Sequence, residues 1–232
     1  MKNEIYSYFN LYILIKMPFS IVSIEGNIGS GKSTLLDHLK LHYKNDPLVV
    51  FAPEPVSEWE KIKDKEGVTM LEKFYANQDK YAFPFQMMAY MSRLSIFRRL
   101  IREAGDKHII IITERSLYTD KYVFAKMLYD QGKIEEVNYQ IYLTWFNEFA
   151  NELPIEHVFY IKADPETCHE RINLRARVGE SIPLEYLTMC HTYHNEYITN
   201  FENTTVLDGN ENIKKSPHIV EQWIEKINYV IM

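Results

Sequence analysis

Phe19-Ser-Ile-Val-Ser-Ile-Glu-Gly-Asn-Ile-Gly-Ser-Gly-Lys-Ser-Thr34 carries three signals in succession. Phe19 to Ile24 is a short apolar, β-branched run, the pattern of a buried strand. Gly26-Asn27-Ile28-Gly29-Ser30-Gly31-Lys32-Ser33 then matches G-x-x-x-x-G-K-[ST] in full. Leu35, Leu36 and Leu39 follow at helical spacing. Strand, glycine-rich loop and helix together make a phosphate site rather than a chance glycine-rich turn. Glycines let the loop wrap tightly and aim its N–H groups inward, and the helix adds its positive N-terminal end. Lys32 supplies a point charge for the β- and γ-phosphates, and the Ser33 hydroxyl can ligate Mg²⁺. The nucleotide-binding set read from this loop runs from Gly26 through Thr34.

The rest of the composition narrows the class. At 232 residues the chain suits one α/β domain with a substantial core. Its net charge of -6 argues against a general nucleic-acid binder, so phosphate affinity must come from local basic clusters. Two cysteines, Cys168 and Cys190, make no disulfide framework, which points to a reduced, cytoplasmic compartment. No apolar run is long enough to span a membrane. Residues 1–16 lack the marks of a transit peptide or a cleavage site. They read as an N-terminal extension, with 17–232 as a single domain.

Strands alternate with helices along the chain. Leu48 to Ala52 is a second strand, delivering Glu54 between Pro53 and Pro55 at a strand's C-terminal end, where α/β folds put their ligands. Trp59 follows on a helical turn, and Val68 to Asn77 reads as a short helix. Tyr81 to Ala104 reads as a long helix with Pro84 in its first turn. Phe85, Gln86, Ala89 and Arg93 fall on one face of it. His108 to Thr113 is a strand of consecutive isoleucines ending in Glu114-Arg115-Ser116. An acid there, after a phosphate loop, suits a second Mg²⁺-facing carboxylate, and it could also serve only as a helix cap. Asp120 and Phe124 are one turn apart on the helix that follows. Ile134 to Ala150 is amphipathic. His157 to Ile161 is a strand, and Glu166 to Arg177 a helix bearing Arg171, Arg175 and Arg177. Basic residues beside the Gly179 loop suit a lid closing over phosphates, although surface helices often carry arginines. Pro183 opens another helix, Thr204 to Leu207 is a fifth strand, and Ile213 to Val230 a closing helix. The expected fold is a P-loop kinase fold of class α/β, a five-stranded parallel sheet with helices on both faces and an arginine-rich lid.

In order and spacing, these segments resemble the deoxynucleoside kinases. The resemblance rests on Glu25-Gly-Asn-Ile-Gly-Ser-Gly-Lys-Ser33, Glu54-Pro-Val with Trp59, Pro84-Phe-Gln86, Glu114-Arg-Ser116, Arg171-Ile-Asn-Leu-Arg-Ala-Arg177 and Ile182-Pro-Leu-Glu-Tyr186. It implies transfer of the γ-phosphoryl of ATP, or another nucleoside triphosphate, to a deoxynucleoside 5′-hydroxyl with Mg²⁺. Glu54 then matches the general base, Arg115 the arginine that steadies the transferred group, and Glu114 the metal-side carboxylate. Arg171, Arg175 and Arg177 match the lid arginines. Trp59, Phe85 and Phe124 match the walls around the base, and Gln86 its hydrogen-bonding partner, with Ile28 also beside the substrate. Tyr75 and a lid glutamate, here Glu180, hold the sugar. The lid loop between Arg177 and Ile182 is one residue shorter than the usual pattern. Asp208 to Asn210 falls where the donor base is contacted. The family is usually a homodimer through helices like 81–104 and 134–150.

Arg93 and Asp120 bear on the choice of base. A carboxylate accepts and a guanidinium donates, which suits cytosine, adenine or guanine better than thymine. Ala89, Arg93 and Asp120 match the deoxycytidine/deoxyguanosine kinase pattern of the family; the pair could equally be an ion pair that ties two helices. Rival readings are a nucleoside monophosphate kinase and a non-catalytic nucleotide-binding subunit. A protein lacking residues 1–16 is expected to keep its activity, and insoluble or inactive protein on truncation would contradict the single domain at 17–232.

Overall fold

The computed structural model describes residues 18–176, 182–211, 213 and 216–232. The extension 1–16 and the lid residues Arg177 and Glu180 lie outside the described residues.

Five apolar runs become strands: β1 (Phe19–Gly26), β2 (Val49–Ala52), β3 (Ile109–Glu114), β4 (His157–Lys162) and β5 (Thr204–Asp208). All pair in parallel, in the order β2-β3-β1-β4-β5. Parallel neighbours need crossovers, and helices supply them. The register brings Ile24 opposite Glu114, Ala52 opposite Thr113, Gly26 opposite Ile161 and Lys162 opposite Asp208. Every strand therefore ends on one edge. The chain builds out to one side of β1 and then to the other, so the phosphate loop leaves the sheet at its topological switch point.

Alternation along each strand sends side chains to two cores. On one face, Ile21 and Ile111 pack under Tyr90, Leu94 and Phe97 of the long helix Gln78–Ala104, and under Tyr142 and Phe146 of Glu136–Ala150. On the other, Val22, Ile24 and Ile112 meet Leu35, Leu36 and Leu39 of Lys32–His42, and Val220, Trp223 and Ile227 of Pro217–Ile231. Each fully buried side chain of this size contributes about 1.5–3 kcal/mol. The α/β sandwich expected from the sequence is therefore the observed one. No helix among the described residues is long and apolar enough to cross a membrane.

Several element ends shift by one to a few residues from the sequence reading, and three differences have a clear local reason. The long helix starts at Gln78, because the Asn77 side chain caps it by accepting from the Lys80 N–H at 3.1 Å. Pro84 consequently sits in the second turn, not the first. The closing helix starts at Pro217 rather than Ile213, with proline at its first position, where no N–H is needed. Asp120 and Phe124 do not lie on an α-helix. Asp120–Ala125 is a π-helical segment between the α-helical turns Leu117–Thr119 and Lys126–Asp130. Such wider turns re-aim side chains and occur often at functional sites.

The phosphate loop also depends on contact with a neighbouring helix. Gly29 has φ +82°, and a Cβ there would lie 2.6 Å from the Cys168 carbonyl oxygen of helix Pro165–Arg175. Gly29→Ala is expected to cost on the order of 1–3 kcal/mol, read as a lower urea midpoint. An unchanged midpoint would contradict this close approach.

Candidate active site

The loop after β1 is shaped by three glycines with positive φ: Gly26 (147°), Gly29 (82°) and Gly31 (108°). Asn27 forms its back. The Asn27 amide donates to the Leu187 carbonyl at 2.8 Å, and its side-chain oxygen accepts from the Ile28 N–H at 2.8 Å. Lys32 folds over the loop and donates to the Asn27 carbonyl at 2.7 Å. Burial, with help from the Arg115 charge, pushes the Lys32 ammonium down to about 8. From Ile28 to Thr34 the loop lines a cavity of about 690 Å³, a size typical of small-molecule sites.

Ser33, at the helix start, donates to Glu114 at the end of β3, with 2.9 Å between the two oxygens. A hydroxyl and a carboxylate together offer hard oxygen ligands, and Mg²⁺ commonly takes one or two protein oxygens plus substrate phosphates. No cluster of three or more His, Cys, Asp or Glu with metal-holding geometry occurs among the described residues. Ser33 and Glu114 together fit a Mg²⁺ carried in on a nucleotide.

The next residue after Glu114 departs from strand geometry. Arg115 has φ +62°, which non-glycine residues rarely adopt. This turn sends its guanidinium across the cavity, where Nη1 donates to Glu54 Oε1. The guanidinium also lies over the Phe124 ring, 5.1 Å from its centre. Nε and Nη2 of Arg115 are buried without a hydrogen-bond partner among the described residues. Burial alone would raise the Glu54 carboxyl, but Arg115, Arg93 and Lys32 outweigh it and hold Glu54 below the ordinary carboxylate range.

Deeper in, Arg93 and Asp120 form a buried pair. Arg93 Nε donates to Asp120 Oδ2 at 3.0 Å, and Nη1 donates to the Glu114 carbonyl at 2.6 Å. Burial pushes the Asp120 carboxyl up, while a guanidinium that cannot lose its proton opposes that shift. Phe85 stacks on Phe74 at 4.5 Å, and Trp59 meets its edge at 5.5 Å. Trp59 is itself fixed by a bond from Nε1 to Ser92 Oγ at 2.9 Å. Gln86 lies 2 % exposed, and its Oε1 has no hydrogen-bond partner among the described residues. Gln86, Ala89, Tyr75 and Tyr186 complete this end of the cavity. Burying an unpaired amide oxygen costs about 1–3 kcal/mol, so this end is built for a polar guest between aromatic walls.

The opposite end departs from the sequence reading. Arg171 does line the cavity, but its guanidinium is engaged with the main chain. Nη1 donates to the carbonyls of Ser30 (3.3 Å) and Gly209 (2.7 Å), and Nη2 to those of Asn210 (3.2 Å) and Glu211 (3.0 Å). It staples the phosphate loop to the segment after β5. Arg175 also lines the cavity. Asp208 and Asn210 are exposed and engaged locally: Asp208 accepts from the Asn210 N–H at 3.0 Å, and Asn210 accepts from the Asp164 N–H at 2.8 Å. The cavity wall here is Leu36, Ile213 and Trp223 instead, with Glu211 at its side. Ile213 reads as the start of the closing helix, and Leu36 and Trp223 are hidden because apolar positions on amphipathic helices look like core. Phe74 and Tyr186 were missed as lining residues for the same reason.

Arg171→Ala should raise the KM for a nucleoside triphosphate roughly tenfold, because charge-assisted bonds worth about 1.5–3 kcal/mol each hold the loop. The KM of the acceptor should stay put. Equal effects on both substrates, in steady-state kinetics, would contradict the staple.

The family model described as "Deoxynucleoside kinase" matches residues 22–232. A relative named "Deoxycytidine kinase 2" from Gallus gallus is 34% identical over 86% of this chain and 80% of its own length. "Deoxycytidine kinase" from Homo sapiens is 33% identical over 89% of this chain and 88% of its own. "Deoxyguanosine kinase, mitochondrial" from Xenopus laevis is 31% identical over 87% and 80%.

Proposed function

This chain belongs to the deoxynucleoside kinase family and is an ATP-dependent phosphotransferase acting on a deoxynucleoside, and on that premise we propose which residues do the work and which acceptor is preferred. The observation that carries the reading is the placement of Glu54 and Arg115. They sit in contact, at the strand ends, between the phosphate loop and an aromatic pocket.

Phosphoryl transfer needs positioning and charge neutralisation more than covalent chemistry. Glu54, held ionised, accepts the proton of the acceptor 5′-hydroxyl. Arg115 holds Glu54 with one nitrogen and has Nε and Nη2 left for the transferred group. Lys32 gives up its bond to its own loop and takes the β- and γ-phosphates. Arg175 and Arg177 add positive charge from the lid side. Ser33 and Glu114 would hold Mg²⁺, which neutralises charge on the donor's phosphates when bound. The donor base occupies the hollow of Leu36, Ile213 and Trp223 beside the Arg171 staple. The acceptor's base lies between Trp59, Phe85 and Phe124, its sugar is held by Tyr75 and Glu180, and Gln86 pairs with its edge. Residues 17–232 act as one catalytic domain.

Deoxycytidine or a purine deoxynucleoside is favoured over thymidine. Asp120 presents an acceptor and Arg93 a donor to the base edge, so an exocyclic amine beside an acceptor is satisfied there. Thymine would set its O4 against a carboxylate. The names of the relatives point the same way.

The protein works in the cytoplasm as a homodimer. Val137, Ile141 and Trp145 recur every fourth residue on helix Glu136–Ala150 and are 60, 41 and 47 % exposed. An exposed apolar stripe of this kind marks an interface. Cys168 and Cys190 are both buried free thiols, in keeping with a reducing compartment.

Glu54→Gln should lower kcat roughly 100-fold or more while nucleotide binding survives. Near-normal turnover in a folded variant would sink the assignment. The base form of Glu54 exists above its depressed pKa and is lost as pH falls through it. The acid limb of kcat/KM should therefore lie below the ordinary glutamate value of about 4.3, and a limb near neutrality would contradict this. The double variant Arg93→Met, Asp120→Ala should raise thymidine kcat/KM relative to deoxycytidine or deoxyguanosine, whatever happens to the absolute rates. Wild-type preference for thymidine would overturn the reading.

A further inference from the structure

Arg93 has a second set of contacts that base recognition does not explain. Its guanidinium forks. One side engages Asp120 through Nε at 3.0 Å, and Nη1 reaches back to the Glu114 main-chain carbonyl at 2.6 Å. That carbonyl belongs to the peptide between Glu114 and Arg115, the unit that must rotate for Arg115 to reach φ +62°. A left-handed arginine costs roughly 1–3 kcal/mol and persists only where surroundings over-determine it. Three bonds do so here. Arg93 fixes the carbonyl before the turn, the Arg115 N–H donates to the Ile24 carbonyl at 3.0 Å, and Thr113 Oγ1 donates to the Arg115 carbonyl at 2.7 Å.

From this geometry we infer that Arg93 is a positioning residue for phosphoryl transfer, which clamps the Glu114–Arg115 turn and so aims Arg115 at Glu54, with Thr113 as the second clamp. The inference rests on the reading of Glu54 and Arg115 as the reacting pair. The residue facing the base and the residues facing the phosphoryl group then form one rigid unit. Arg93 is 2 % exposed and Thr113 is 0 % exposed, so neither contact is weakened by solvent. Thr113 is set back from the cavity wall. Its one proton goes to the Arg115 carbonyl, with the Ala52 carbonyl 3.3 Å away as the alternative acceptor, and the Ala52–Thr113 register sets the end of β2, two residues before Glu54, beside the same turn.

The test compares Arg93→Lys with Thr113→Val, using Thr113→Ser as the conservative control and Glu54→Gln in the same assay. A lysine keeps the charge beside Asp120 but has no rigid fork to hold the carbonyl as well. Misplacing catalytic groups by about 1 Å can cost up to a hundredfold in rate. Arg93→Lys should therefore lower kcat at saturating acceptor roughly 10- to 100-fold, in addition to raising acceptor KM. Thr113→Val should lower kcat about 10-fold with acceptor KM nearly unchanged, and Thr113→Ser should restore it. Thr113→Val keeps the side-chain volume, so it probes the turn even where Arg93→Lys fails to fold. The proposal is overturned if Arg93→Lys raises KM alone and Thr113→Val leaves kcat within about twofold of wild type. Undiminished kcat in Glu54→Gln would instead remove the underlying assignment of the base, whichever way the clamp variants behave.

Discussion

The ion pair between Arg115 and Glu54 is the contact on which the site depends. Its two members come from the ends of neighbouring parallel strands, β3 and β2, and neither strand alone could present them face to face. The Ala52–Thr113 register sets the spacing, the two prolines around Glu54 stiffen one side, and the left-handed turn at Arg115 aims the other. The sheet thus holds a carboxylate and a guanidinium together above the phosphate loop.

Burying that pair is expensive unless the surroundings compensate. Four carboxylates, Glu25, Glu54, Glu114 and Asp120, act on Arg115, and the other cations in the cluster are Lys32 and Arg93. Carboxylates and cations thus alternate through the cluster, and Arg171, Arg175 and Lys40 add further cations along the cavity wall. Arg115, Arg93 and Lys32 hold the Glu54 carboxyl below the ordinary carboxylate range despite its burial.

Much of this was legible in the sequence because it follows from periodicity and strand ends. The phosphate loop announces itself between an apolar run and a leucine-bearing helix. Glu54 and Glu114-Arg115 stand where apolar strands stop. Gln86, Ala89 and Arg93 share a helical face by spacing alone. What escaped depends on tertiary approach. Arg171 looks like one of three lid arginines, and only the fold reveals that its four donor bonds go to carbonyls of two separate loops. Leu36 and Trp223 look like core and are core, yet each also offers an edge to the cavity. The π-helical segment at Asp120 leaves no mark in composition, since its extra residue per turn is imposed by packing against the long helix and Leu184–Thr199.

The central claim is that a carboxylate base faces an uncharged hydroxyl, beneath a base pocket that reads an exocyclic amine. Initial-rate phosphoryl transfer from ATP and Mg²⁺ to a panel of deoxynucleosides and their 5′-monophosphates tests it most directly. The account predicts turnover of deoxycytidine, deoxyadenosine or deoxyguanosine well above thymidine, and none of the monophosphates, whose phosphate would meet Glu54. Monophosphates phosphorylated faster than nucleosides, or thymidine as the preferred acceptor, would contradict it.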